Sequence, residues 1–261
     1  KRMKERLVHV SVLTRSALVE SIRRKDLYVV WMLAVCGLIG GSILASSGVR
    51  GTETFLRDIA LTVVNFLSTA VCIWLAARQI PEELSRRTLF PLLARPVRRF
   101  DVLLAKFLAV WLLASFALVV LAGIAWGSLA VSRAAIGPIF WQYLFLRALS
   151  FGPIAAMTMA LSLVLTAPAT VILSGLLTLC GTMFARTLAD AVGGAAPPLQ
   201  APLKALYFAL PHLDLFDLSQ RAAYNYPPVQ AWVLAVLVLY AAAYAAVFLG
   251  LGELRFRRMA V

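Results

Sequence analysis

The sequence predicts an all-α polytopic membrane protein. Six transmembrane helices are joined by an N-terminal amphipathic interfacial helix, a short cytoplasmic helix, and short external helices between spans five and six. Three observations predict it. Apolar residues make up 62% of the 261 residues and charged residues only 14%, where soluble domains carry roughly 45–50% and ~25%. The charges are lopsided, 25 Lys+Arg against 12 Asp+Glu for a net +13. Long uncharged runs recur along the whole chain, which separates it from a soluble nucleic-acid binder of similar charge and from a disordered basic tail. The chain opens on Lys1, from which a trimmed natural N-terminus is expected, and no signal peptide can be read.

The domain plan is residues 1–26, a cytoplasmic amphipathic helix, followed by residues 27–261, the six-span transmembrane domain. In 1–26, Leu7, Val10, Leu13, Leu18 and Ile22 recur at helical spacing, with Arg15, Glu20, Arg23 and Arg24 on other faces. Such a helix lies in the headgroup layer, held to anionic lipid by Arg23-Arg24-Lys25; docking of a partner is the competing reading.

The uncharged runs are Leu27–Val49, Ile59–Ala77, Phe107–Ser132, Ala148–Ala185 and Ala222–Gly252. One crossing needs roughly 20 apolar residues. The fourth run has 38 residues, too many for one crossing, and Thr166-Ala167-Pro168 divides it because Pro168 disfavours helical geometry at the residue before it. Spans at about 140–165 and 168–185 follow, which makes six. With six spans, 18 of the 25 positive charges fall on the side of both termini, and the positive-inside rule makes that side the cytoplasm. The six Trp, at 31, 74, 111, 126, 141 and 232, are read as interfacial residues near span ends.

Between spans two and three, Pro81 suits a first helical turn, and Glu82 and Glu83 suit the positive end of its dipole. Glu82–Arg86 and Glu83–Arg87 are i,i+4 pairs; Leu84, Thr88, Leu89 and Leu92 form an apolar edge; Pro91 and Pro96 stop the helix. A basic connector with Arg95, Arg98 and Arg99 leads to Asp101, read as the cap of span three. Either a soluble partner receives this helix, or the loop is a positive-inside segment that snorkels.

Beyond the fifth span, 186–228 is too long for a simple connector. Pro202–Leu210 reads as a short apolar helix, Leu213–Tyr224 as a second one with an Asp217–Arg221 pair, and Pro227-Pro228 as the start of the last span.

The run Glu82-Glu83-Leu84-Ser85-Arg86-Arg87-Thr88-Leu89-Phe90-Pro91-Leu92-Leu93-Ala94-Arg95-Pro96-Val97-Arg98-Arg99, continuing through Leu103-Leu104-Ala105-Lys106-Phe107, resembles the signature of permease subunits of type-2 ABC transporters. Glu82, Glu83, Thr88, Leu92, Leu93, Pro96, Arg99 and Lys106 match; Arg87 and Ala105 stand where Gly is usual. Arg23 and Lys25 match the family's basic pair, while Ala17 stands at a usually acidic position. Leu210-Pro211-His212-Leu213 and Phe216-Asp217-Leu218 are similar to the family's external helices.

The resemblance implies that about 81–93 is a coupling helix seated in an ATP-binding subunit through Glu82, Glu83, Arg86, Thr88, Leu89, Leu92, Pro96 and Arg99. It implies that Pro211, Asp217 and Arg221 belong to an external gate. It also implies a second permease copy or paralogue, a lipid bilayer as surroundings, no nucleic acid, and the cytoplasmic membrane of a bacterium. An apolar path suits export of a lipid-like, amphipathic or peptide substrate better than of an ion. The other class of function is a non-transporting membrane scaffold that recruits a cytosolic partner through 78–106.

No catalytic constellation is expected. No G-x-x-x-x-G-K-[ST] occurs, so ATP and Mg are expected on a partner chain and no cofactor or metal on this one. Cys36, Cys72 and Cys180 are single residues in three spans, read as apolar fillers, and His9 and His212 lie outside the spans. Arg147 is the one ionisable residue inside a hydrophobic stretch, a functional residue by default or a cation that snorkels outward. Gly37 and Gly41 form a GxxxG face in span one. Arg147, Gly37 and Gly41 are the candidates for a pathway or an interface.

Overall fold

A computed structural model describes residues 52–82, 99–131, 137–179 and 212–258, with the single positions Ser11, Thr14 and Gln200. The regular structure of these residues is helical, without strands. The helices are α1 (Thr52–Gln79), α2 (Arg99–Val131), α3 (Ile139–Ser162), α4 (Ala167–Leu179), α5 (Ser219–Ala223) and α6 (Ala231–Arg258), with a 3₁₀ turn at Leu213–Phe216. Four of them, α1, α2, α3 and α6, are long and apolar enough to cross a membrane. The first predicted span, Leu27–Val49, with Gly37 and Gly41, lies outside the described residues, as does Pro202–Leu210.

Helix α3 is the hub, packed against α1, α2 and α6. Its sequence is apolar all round, the pattern of a helix enclosed by others, and every residue from Ser150 to Met159 is buried. Small side chains let α2 approach: Ala109, Ala114, Ala117, Ala122 and Ala125 are all buried. Helix α6 is the opposite case, with only 22% of its most apolar window buried. Trp232, Leu239, Val247 and Leu254 face outward, which costs nothing beside lipid.

The ends of the elements depart from the apolar runs. Helix α2 begins at Arg99, eight residues before the run that predicts it, because nothing forbids charged residues in the turns that precede a span. Asp101 therefore sits in the first turn of α2 rather than capping it, still at the positive end of the helix dipole. Trp111 lies in the fourth turn of α2, near the start of its apolar run, and its indole Nε1–H donates to the Ala148 carbonyl of α3 at 2.9 Å. A break divides the fourth run as expected but lies earlier than 166–168: α3 ends at Ser162 and α4 begins at Ala167, so Ala167 is helical and Pro168 sits in the first turn of α4, where its missing N–H is no loss. Helix α6 starts at Ala231, not at Pro227-Pro228, since those prolines belong to an irregular stretch that follows α5.

Leu213–Tyr224 is not one helix. Asp217 is extended (φ −91°, ψ 98°) and divides the 3₁₀ turn from α5. Its carboxylate Oδ1 accepts from the Ser219 N–H at 2.9 Å, so it organises the start of α5 instead of pairing with Arg221. This short assembly packs on α1 and α3. Arg57 Nη1 of α1 donates to the Ala223 carbonyl at 3.2 Å and fixes it there.

Candidate functional site

Arg147 is the ninth residue of α3 and is turned into the bundle, with 6% of its surface exposed. It does not snorkel. Its Nη2 donates to the Asn65 carbonyl of α1 at 3.1 Å and to Thr69 Oγ1. The guanidinium carbon stands 5.7 Å from the centre of the Phe151 ring, within cation–π range. No carboxylate is within ion-pair distance of it among the described residues, and Nε is buried without a hydrogen-bond partner.

The acceptors do not depend on this cation. Thr69 Oγ1 itself donates to the Asn65 carbonyl at 2.6 Å. Asn65 Nδ2 donates to Asp217 Oδ2 at 3.0 Å, which links the centre of α1 to the 3₁₀–α5 junction. Thus Arg147, brought by α3, and Asp217, brought from 70 residues later, share a site through Asn65. Asp217 of the predicted gate is in this group; Arg221 is exposed on α5 and outside it.

A cavity of about 390 Å³ is bordered by these residues. From α1 come Thr62, Asn65, Phe66, Thr69, Ile73 and Trp74, one face of the helix at i, i+3, i+4, i+7, i+11 and i+12. Arg147 supplies the charge, and Val171, Gly175, Thr178 and Leu179 of α4 form the facing wall. Polar groups gather near Asn65, whereas the stretch from Ala70 to Trp74 is apolar. The cavity reaches the surface of the described bundle along Phe66, Trp74 and Leu179, each more than a third exposed.

At the far end of the same wall, the Arg78 guanidinium lies over the Trp74 ring, 4.9 Å from its centre. Arg78 Nε also pairs with Glu82 Oε1. The i,i+4 partner shown for Glu82 is thus Arg78, one turn before it. Arg86, the partner expected from the sequence, lies outside the described residues, as do Glu83, Thr88, Leu89, Leu92, Pro96 and Pro211; Arg99 is the first residue of α2.

Chemically the arrangement can hold a ligand. No group of three or more His, Cys, Asp or Glu that could hold a metal occurs among the described residues. Cys72 is a free thiol buried in the core. His212 N–H donates to Tyr240 Oη at 2.9 Å, and its Nδ1 is 3.3 Å from the same oxygen.

By sequence, residues 42–261 match the family described as Protein of unknown function (DUF2705). The chain belongs to this family. The DUF2705 match includes all six described helices and the whole cavity, and leaves out Gly37 and Gly41. No curated protein matches the chain.

Sequence reasoning singled out Arg147 and Asp217 but missed Asn65, Thr69 and Thr62. A signal was available: in an uncharged run whose other polar residue is Ser68, these three recur at i, i+3 and i+7, a polar stripe on one face of α1.

Proposed function

We propose that the chain is the membrane-spanning permease subunit of an ATP-driven ABC transporter of the exporter kind. In this reading it works as a dimer with a second copy or a paralogue, in the cytoplasmic membrane of a bacterium with both termini inside. Separate subunits bind ATP and Mg and seat the 81–93 segment as their coupling helix.

One observation carries the reading. The segment that resembles a coupling helix begins at Glu82, and Glu82 is tied by Arg78 to Trp74, which walls the cavity. A movement imposed on the loop is thereby delivered to the cavity through two contacts, with no slack residue between them. Closure of an ATPase pair would tilt the loop, and Trp74 would move with it. The apolar wall from Ala70 to Trp74 suits cargo that is itself partly apolar.

The test is co-purification of the tagged chain from its native membrane. An untagged partner that hydrolyses ATP is expected with the unaltered chain. The double charge reversal Glu82→Lys, Glu83→Lys is expected to lose that partner while the membrane level of the chain is unchanged. A partner without ATPase activity, or one retained at full strength by the double variant, would overturn the assignment and favour a scaffold.

A further inference from the structure

We propose that the Arg147 cavity is a binding site for a monoanionic amphiphile, its headgroup on Arg147 and its apolar chain between α1 and α4. As a substrate site it rests on the transporter reading; as a binding site it does not.

The first ground is a buried charge without an ion pair. Of the two buried cations described, Lys106 precedes the apolar run of α2, whereas Arg147 lies within α3 and donates only through Nη2, to two neutral oxygens. Those oxygens hydrogen-bond to each other without it. A latch between α1 and α3 needs no positive charge, and a charged group in hydrocarbon is costly. An anion beside the guanidinium offsets that cost with a charge-assisted hydrogen bond.

The second ground is shape. The lining runs along α1 from Thr62 to Trp74, about 18 Å at 1.5 Å per residue. An inorganic anion would occupy only the polar end of such a slot. Phe66, Ile73, Val171 and Leu179 give the remainder apolar walls, which a hydrocarbon chain fills and a bare ion leaves empty. Asp217 sets the charge of the headgroup. Both of its oxygens are engaged, by Asn65 and by the Ser219 N–H, so it leaves the guanidinium to the ligand. It also borders the cavity, and a second negative charge on the headgroup would face it.

The experiment is direct binding to the purified full chain in a neutral maltoside detergent. Myristate is the monoanionic probe, tetradecyl phosphocholine the zwitterionic one, and acetate and inorganic phosphate the headgroups without a chain. Myristate is expected to saturate, the zwitterion to bind about 10-fold more weakly, and the two small anions not to bind. Arg147→Met is expected to weaken myristate about 10–100-fold, the range of a hydrogen bond to a charged group.

A second variant leaves the charge in place. Gly175 borders the cavity, and a Cβ added there meets nothing within 4 Å, so the larger side chain of Gly175→Leu starts in open space beside the slot. It is expected to block myristate while melting at the temperature of the unaltered chain. Equal affinity for the zwitterion, or undiminished myristate binding in a well-folded Gly175→Leu protein, would overturn the proposal. Binding without an ATP-hydrolysing partner would leave the site standing and remove the transporter reading; the reverse result would remove the site alone.

Discussion

Asn225 is the one non-glycine residue with a positive φ among those described, at 51°. Asn adopts this left-handed conformation more readily than most residues because its short amide can bond locally. Here that amide reaches across to another element: Oδ1 accepts the Gly137 N–H at 3.0 Å and so ties the turn after α5 to the start of α3. Gly137 has a matching requirement. A Cβ on it would lie 2.8 Å from Asn225 Oδ1, closer than real side chains approach. Gly137→Ala is therefore expected to break the tie at about 1 kcal/mol, the net value of one hydrogen bond. Asn225→Ala is expected to cost more, since it loses the bond and keeps a β-carbon at positive φ. Thermal unfolding in detergent checks the order: unaltered, then Gly137→Ala, then Asn225→Ala. Neither residue is conspicuous in the sequence, because 88 residues separate them and only the fold brings them together.

Helix α6 is pinned at its start by a side chain that imitates a backbone. Gln142 of α3 donates from Nε2 to the Val229 carbonyl at 3.1 Å and accepts the Val229 N–H at Oε1, 2.7 Å. One amide thus satisfies both backbone groups of a residue in the irregular stretch before α6. Further along the same helix Gly252 is buried, and a Cβ added there would meet Leu103 of α2 and Leu163 and Ala160 at the end of α3 at ordinary contact distance. Gln142→Leu keeps the apolar volume and removes both hydrogen bonds, for an expected loss of about 1–3 kcal/mol. Limited proteolysis gives the local readout, with cleavage near Tyr226–Gln230 expected to rise before global unfolding. An unchanged cleavage pattern would show that Gly252 and its neighbours hold α6 unaided.

The same helices show what a sequence can and cannot disclose at this scale. That α1, α2, α3 and α6 exist was legible, since an uncharged run near 20 residues has few uses besides crossing a bilayer. Their ends were not. A helix extends wherever its backbone remains bonded, so α2 takes in Arg99 and Asp101, and α6 waits until the prolines have passed. Arg147 was legible for its charge alone, whereas its hydrogen bonds to Asn65 and Thr69 depend on how α1 and α3 cross. The Asp217–Arg221 pair failed because the Asp217 carboxylate does better on Asn65 and the Ser219 N–H than on an exposed cation, where a surface ion pair contributes little.

For the molecule as a whole, the net charge of +13 is a statement about direction. Helix α1 gives the scale. Arg57 at one end holds α5, and Arg78 at the other holds Glu82; the 21 residues between them span about 31 Å, close to the roughly 30 Å hydrocarbon core. The two ends of the bundle therefore sit at opposite faces of a bilayer. Six spans would run α1 and α6 in the same sense, which puts Arg255 and Arg257 of α6 on the side of Arg78 and Glu82 and Arg221 on the far side. A cysteine-free background with Arg221→Cys or Arg257→Cys tests this in intact cells with a membrane-impermeant maleimide. Arg221→Cys is expected to label at once, and Arg257→Cys only after the membrane is opened. Labelling of both without permeabilisation would remove the even span count, and the reversed pattern would turn the charge map, and with it the face offered to an ATPase, to the outside.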